Sequence, residues 1–217
     1  MKKLFTLSII FCSLLFNAQD QDPKAKAILD DLSKTTKTYK TISAEYSFTI
    51  LNKEGKQLEK QTGKAQIKGD KFKLEILGNT IVCDGKTIWN YNKDAKEVTI
   101  KRFDAANEDQ LNPSKIFTMY EKGYKFKYEK DEKVGAVNCS AINLFPVDKP
   151  EKKKFHTIIL YVDKTKKQVA QLKMLMKDGG KQIYEIKTFK PNTEMADALF
   201  VFDTKGFKAD QINDERD

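Results

Sequence analysis

The sequence predicts a mainly β fold, a strongly curved antiparallel sheet or barrel accompanied by a few helices. Three observations predict it. Apolar and polar residues alternate along most of the chain, short turn-forming segments punctuate the alternation, and only two stretches repeat at helical spacing. Ten or so strands joined mainly by hairpins are too many for a small flat sheet, so curvature or closure follows.

The first eighteen residues read as a secretory signal, with Lys2 and Lys3 as the basic start, Leu4 to Phe16 as an almost unbroken apolar run, and Ala18 as a small residue before Gln19. Cleavage after Ala18 is expected, although Phe16 departs from the small-x-small pattern. Cys12 follows Ile9, Ile10 and Phe11 inside the apolar run and is read as part of the discarded segment, so the product carries no lipid of its own. About 199 residues remain (217 minus 18), which suits one domain over 19–217. Nothing later approaches the ~18 apolar residues of a membrane span. The expected destination is an extracytoplasmic, oxidising space.

Asp22 and Pro23 form a cap and first helical residue, and Ile28, Leu32, Thr35 and Tyr39 follow at helical spacing, which predicts a helix over about 23–40. The period then becomes two. Tyr46, Phe48 and Ile50 alternate with polar residues up to the turn at Asn52 to Gly55, and Phe72, Leu74 and Ile76 alternate with Lys71, Lys73 and Glu75. Further strands are expected over 80–83, 87–91, 97–102, 124–129, 136–144, 155–162, 168–176 and 182–189. Their separators, such as Asp84-Gly85, Asn92-Lys93-Asp94 and Asp178-Gly179-Gly180, carry turn chemistry. One interruption remains: Asn112 and Pro113 resemble another helix start, with Ile116, Met119 and Tyr120 on one face before Gly123. A short helix inserted into a closing sheet belongs over its open face.

Composition narrows the function. Hydrophobic residues are 40% and charged residues 33%, too apolar for a disordered chain and too polar for a multispanning one. Loss of Lys2 and Lys3 leaves 38 basic against 31 acidic residues, a net charge near +7. Arg102 and Arg216 are the only arginines, whereas phosphate and base recognition favour the bidentate guanidinium, so the lysines read as solvated strand faces and no nucleic-acid partner is expected. Cys83 and Cys139 survive processing. A bridge is open to them in such a compartment, but free, buried strand residues are the expectation.

Catalytic chemistry is thin. His156 is the only histidine and sits in an apolar strand, and Gly85-Lys86-Thr87 lacks the first glycine and the following helix of a phosphate loop. No metal cluster or carboxylate pair stands out, so neither an enzyme nor a cofactor is expected. What the chain has instead is apolar residues in excess of a one-sided sheet: Phe155 to Val162, Val169 to Met176, Ile81-Val82 and Ile88-Trp89 are apolar on both faces in part. A second apolar face calls for another cover or a ligand. Met119, Met174 and Met176 are adaptable groups suited to a changeable guest, or to simple core filling.

The run Val82-Cys83-Asp84-Gly85-Lys86-Thr87-Ile88-Trp89-Asn90-Tyr91-Asn92 resembles the signature hairpin of the LolA-type outer-membrane lipoprotein carriers. Lys96 to Ile100 follows at the expected interval. Phe48-Thr49, the turn at 52–56, Ile67-Lys68 with Phe72 and Leu74, and Phe200 to Phe202 agree in order. The resemblance implies an incomplete antiparallel barrel of about 11 strands with helices covering an apolar cavity. It implies a periplasmic monomer that takes acylated lipoproteins from an inner-membrane ABC-type extractor and delivers them to an outer-membrane acceptor. On this resemblance the cavity is expected from Phe48, Ile50, Phe72, Leu74, Ile76, Trp89, Tyr91, Leu172 and Met174. The lid is expected from Ile28, Leu32, Ile116, Met119 and Tyr120.

One departure stands out. The family commonly carries an arginine after the lysine matching Lys68, where it ties the sheet rim to the lid, but Gly69-Asp70 occupies that turn here. Lys68, Lys71 and Lys73 are the candidate substitutes. Two other functions fit the same architecture: a carrier of free lipids or lipid-linked small molecules, and a sensory domain, which would normally be joined to a membrane anchor.

Overall fold

The computed structural model describes residues 22–105, 112–113 and 119–216. The expected signal segment, Ile116 and most of the expected second helix lie outside them. Helix α1 spans Pro23–Thr36, and the Asp22 side chain caps it by accepting from the Lys24 and Ala25 N–H groups. Ala25, Leu29 and Leu32 form its buried stripe. The helix ends four residues before the expected Lys40. Thr35, Thr36 and Thr38 disfavour continuation through their branched side chains, and the Thr38 and Tyr39 N–H groups instead close tight turns on the Thr35 and Thr36 carbonyls.

Twelve strands form one curved, open sheet. The first meander contains β1 (Ile42–Leu51), β2 (Gln57–Lys68), β3 (Lys71–Ile76), β4 (Asn79–Cys83), β5 (Thr87–Asn92) and β6 (Glu97–Arg102). The second contains β7 (Tyr124–Val134), β8 (Val137–Pro146), β9 (Phe155–Asp163), β10 (Val169–Met176) and β11 (Lys181–Pro191), and β12 (Ile212–Asp214) is last. The spatial order is β12-β6-β5-β4-β3-β2-β1-β11-β10-β9-β8-β7, so the β1–β11 pairing joins the two meanders. Register shifts between Glu45 and Tyr46, and between Tyr128 and Lys130, bend the strands.

The mainly β, incomplete-barrel expectation agrees with this sheet, with two additions. The stretch Gln57 to Lys64 has almost no apolar alternation, yet it forms most of β2 because it pairs along its length with β1, while β3 joins the other edge only from Lys64 onward. Strand β12 is only three residues long and runs parallel to β6, covering an edge that would otherwise be open. At the opposite edge, β7 carries Lys125, Lys127, Lys130 and Lys133 and a bulge, features that discourage edge-to-edge pairing.

Candidate functional site: the inner face of the sheet

Cross-strand register assigns every strand residue to one of two faces, because side chains alternate and paired residues share a side. From Phe48 the inner face runs through Tyr184 to Leu172, Leu160 and Ile142 in one direction. In the other it runs through β2 to Ile67, Phe72, Cys83 and Ile88. Helix α1 covers the first part. Ala25, Leu29 and Leu32 pack with Phe126, Ile142, Leu144, Ile158, Leu160 and Leu172 in one apolar core. Ile42, Ile67, Phe72, Leu74 and Cys83 form a second core beside it. The Phe48 and Tyr184 rings meet at 4.6 Å, tilted by 37° to each other.

Seven of the nine expected cavity residues share this face: Phe48, Ile50, Phe72, Leu74, Ile76, Leu172 and Met174. Phe48, Phe72, Leu74 and Leu172 are buried, whereas Ile50, Ile76 and Met174 are half-buried. Trp89 and Tyr91 are not with them. Phe72 pairs with Cys83 and Cys83 with Ile88, so Trp89 and Tyr91 point to the outer face beside Val82, Val98 and Ile100. There Tyr91 meets Phe202 at 5.7 Å and Phe207 at 5.4 Å, under the C-terminal segment. Alternation reveals that a strand has two faces but not which one turns inward, and the register needed to settle it passes through two turns.

Of the expected lid, Ile28 and Leu32 lie on α1 over the inner face, and Tyr120 packs into the same core. Met119 lies in a 3₁₀ turn, Met119–Glu121, and Ile116 is outside the described residues. The polar contacts that hold α1 gather at its margins. The Tyr120 hydroxyl donates to the Leu29 carbonyl at 2.5 Å, and burial raises its pKa. Glu121 accepts from Ser33 Oγ at 2.7 Å and from Lys37 Nζ at 2.8 Å. These bonds, that of Lys37 first, keep the Glu121 carboxyl below its ordinary pKa. Lys24 stands 3.4 Å from the centre of the Tyr128 ring, and Gln168 Nε2 donates to the Tyr39 hydroxyl at 2.9 Å. Sequence reasoning passed over Glu121 because one glutamate after a helical pattern looks like any other.

Of the candidate substitutes for the family's arginine, Lys68 and Lys71 reach a segment other than α1. Gly69 has φ +58° with open space around it, and its neighbours reach the C-terminal segment rather than α1. Lys68 and Lys71 grip the two oxygens of Asp197 at 2.7 and 2.9 Å, and Lys68 also donates to the Met195 carbonyl at 3.1 Å. Paired with two ammonium groups, Asp197 titrates at about 2. Phe200, at the end of the 3₁₀ turn that Asp197 begins, is fully buried.

Cys83 and Cys139 are free and buried, as expected, and they occupy different faces. Cys83 lies in the inner core and Cys139 in a small outer cluster with Ala141 and Tyr161. Burial pushes both thiols up to about 11. Among the described residues no cluster of three or more His, Cys, Asp or Glu side chains is placed to hold a metal ion. An outer-face depression of about 390 Å³ is lined by Glu129, Asn143, Ile159, Tyr161 and Lys173 among others.

An open, curved antiparallel sheet with an apolar inner face under one amphipathic helix defines a class of half-barrel. Within that class the chain belongs to the outer membrane lipoprotein carrier protein LolA family, whose family model matches residues 37–203. It is 24% identical to an outer-membrane lipoprotein carrier protein of Actinobacillus pleuropneumoniae serotype 3, over 100% of this chain and 97% of that one. It is also 24% identical to the protein of that name from Glaesserella parasuis, over 80% and 79% of the two chains. The fold resembles that of an uncharacterized conserved protein from Thermus thermophilus, with TM-score 0.59 and 15% identity over 88% of this chain and 99% of that one.

Proposed function

We propose that the protein is a periplasmic carrier that shelters the acyl chains of lipoproteins against the inner face of its sheet and shuttles them from the inner to the outer membrane. The carrying observation is the contrast between the two attachments of α1. Its apolar stripe is fully buried on the inner face, while several of its polar ties, Lys37–Glu121 and Lys24–Tyr128 among them, lie at exposed margins where water replaces them at little cost. A cover built this way lifts as a unit. The apolar groups it uncovers, Leu172 and Met174 beside Phe48, then face whatever replaces it.

An acyl chain is such a replacement. It costs about 0.8 kcal/mol per methylene left in water, so a dozen carbons repay displacement of a few leucines. No covalent step is required, which argues for a carrier over an enzyme, and the family membership supports the same reading. An inner-membrane ABC-type extractor supplying cargo and an outer-membrane acceptor receiving it complete the proposed route.

Mass spectrometry of material co-purified from the periplasm tests this. Tri- or diacylated peptides in the bound fraction support the lipoprotein carrier. Free phospholipid or lipid-linked small molecules alone would replace it with the free-lipid reading of the same face.

A further inference from the structure

Strand order turns six connecting segments toward one end of the sheet, and four of them form a connected rim: the β1–β2 turn (52–56), the β10–β11 turn (177–180), the β8–β9 loop (147–154) and residues 122–123 ahead of β7. They touch. The Lys177 N–H bonds the Lys154 carbonyl at 2.9 Å, Lys177 Nζ donates to the Pro150 carbonyl at 2.8 Å, and the Val147 N–H bonds the Gly123 carbonyl at 2.9 Å. A Cβ on Gly179 would lie 3.0 Å from that of Lys53, so the first two turns are neighbours.

This end is basic. Lys53 and Lys56 lie in the first turn, and Lys177 and Lys181 lie in and just after the second. The loop adds Lys149 and the run Lys152-Lys153-Lys154, and Lys122 makes nine lysines in or directly beside these four segments. Four acids oppose them, Glu54, Asp148, Glu151 and Asp178, leaving a surplus of five positive charges. The tight turns at the other end, 69–70, 84–86, 135–136 and 164–168, hold four lysines and two acids, a surplus of two. Among the described residues, Lys53 is the one member of the nine in an ion pair, 3.7 Å from its neighbour Glu54.

Bulky apolar side chains stand uncovered among these lysines. Leu58, just past the first turn, is 63% exposed, Val147 48% and Phe145 38%. Lysines that serve solubility alone give no reason for uncovered aliphatic and aromatic groups beside them. Flexible ammonium groups around exposed apolar ones match a surface that is anionic outside and apolar beneath. The scarcity of arginine points the same way, because a lysine attracts diffuse headgroup charge without demanding the fixed geometry of a bidentate site.

We propose that this end of the sheet is a docking rim for the anionic headgroup surface of a membrane, with Leu58, Val147 and Phe145 entering the boundary between headgroups and acyl chains. The assignment rests on strand order, charge and exposure. It is independent of what the inner face carries, so cargo analysis and membrane binding fail separately. Attraction of this kind reaches about 10 Å at 0.1 M salt, so it acts once the rim faces the bilayer.

The test is flotation of the secreted protein with mixed phosphatidylcholine–phosphatidylglycerol vesicles and with pure phosphatidylcholine vesicles, at low and high salt. The parent is expected to bind the mixed vesicles, more weakly as salt rises, and to ignore the neutral ones. At about fivefold per lysine, Lys152→Glu with Lys154→Glu lowers affinity at least ~25-fold. Lys86→Glu with Lys166→Glu makes the same charge change in exposed turns at the other end and is expected to cost less than about threefold. Leu58→Ser weakens binding without altering its salt dependence. Equal losses in the two double variants would reduce the effect to net charge and overturn the rim. A parent that ignores mixed vesicles overturns it too, and leaves an acidic protein surface as the partner of this end.

Discussion

Asp22 and Tyr128 join helix α1 to the edge strand β7: one Asp22 oxygen accepts from the Tyr128 N–H at 2.9 Å while the other caps α1 by accepting from Lys24 at 2.8 Å and Ala25 at 3.3 Å. One carboxylate therefore starts the helix and fixes where it begins over β7. Asp22→Ala removes both functions. Backbone amides of α1 are expected to exchange faster with solvent, while those of the central pair β1 and β11 keep their protection, as hydrogen-exchange mass spectrometry would read.

The same bond sets a pH dependence. Hydrogen bonding, that from Tyr128 first, lowers the Asp22 pKa from its ordinary 3.8. A carboxyl with a depressed folded pKa contributes stability that is fully present above its unfolded value and is lost as pH falls through the folded one. The fixing of α1 should thus hold from neutrality to about pH 4 and fade below it. Asp22→Asn should abolish that part of the acid response, measured by α1 amide exchange against pH.

Gly63 is a packing requirement of β2. Tyr46 lies across it from β1 and donates its hydroxyl to the Glu75 carbonyl at 2.7 Å, so a Cβ at Gly63 would stand 2.3 Å from that carbonyl oxygen and 2.5 Å from the Tyr46 ring. Backbone cannot give way as a side-chain tip does. Gly63→Ala is expected to cost about 2–3 kcal/mol, read as a lower midpoint in urea unfolding.

Much of the fold is legible in the residues, and the failures have physical causes. Strands such as β3 and β6 show themselves through alternation, and Asp22-Pro23 marks the start of α1. Gln57 to Lys64 does not, because backbone pairing with the apolar strand β1 supplies what its side chains lack. The apolar inner face was half legible. The identity of the apolar residues was visible, but Trp89 looked like a cavity residue because facing depends on pairing partners distant in sequence.

That facing gives a spectroscopic prediction. Trp89 lies on the face crossed by the C-terminal segment, so its fluorescence should respond when Asp197→Asn loosens the Lys68 and Lys71 grip. An acyl ligand on the inner face should leave it nearly unchanged. Limited proteolysis should also cut the Asp197→Asn segment sooner than that of the parent.

Both thiols are buried and pushed up to about 11, so each should resist a disulfide reagent at pH 8 in the folded protein and react fully after denaturation. A reagent-accessible thiol before unfolding would contradict the placement of Cys83 and Cys139.

The central claim is that cargo acyl chains lie on the inner face. Photo-cross-linking in cells tests it most directly, with p-benzoylphenylalanine placed singly at Ile76, Met174 and Trp89 and lipoproteins labelled with palmitate. Ile76 and Met174 are half-buried and inward, whereas Trp89 is half-buried and outward, so burial is matched and only the face differs. The account predicts palmitate-labelled adducts from Ile76 and Met174 and none from Trp89. Adducts from Trp89 alone, or from none of the three while cargo still co-purifies, would contradict it.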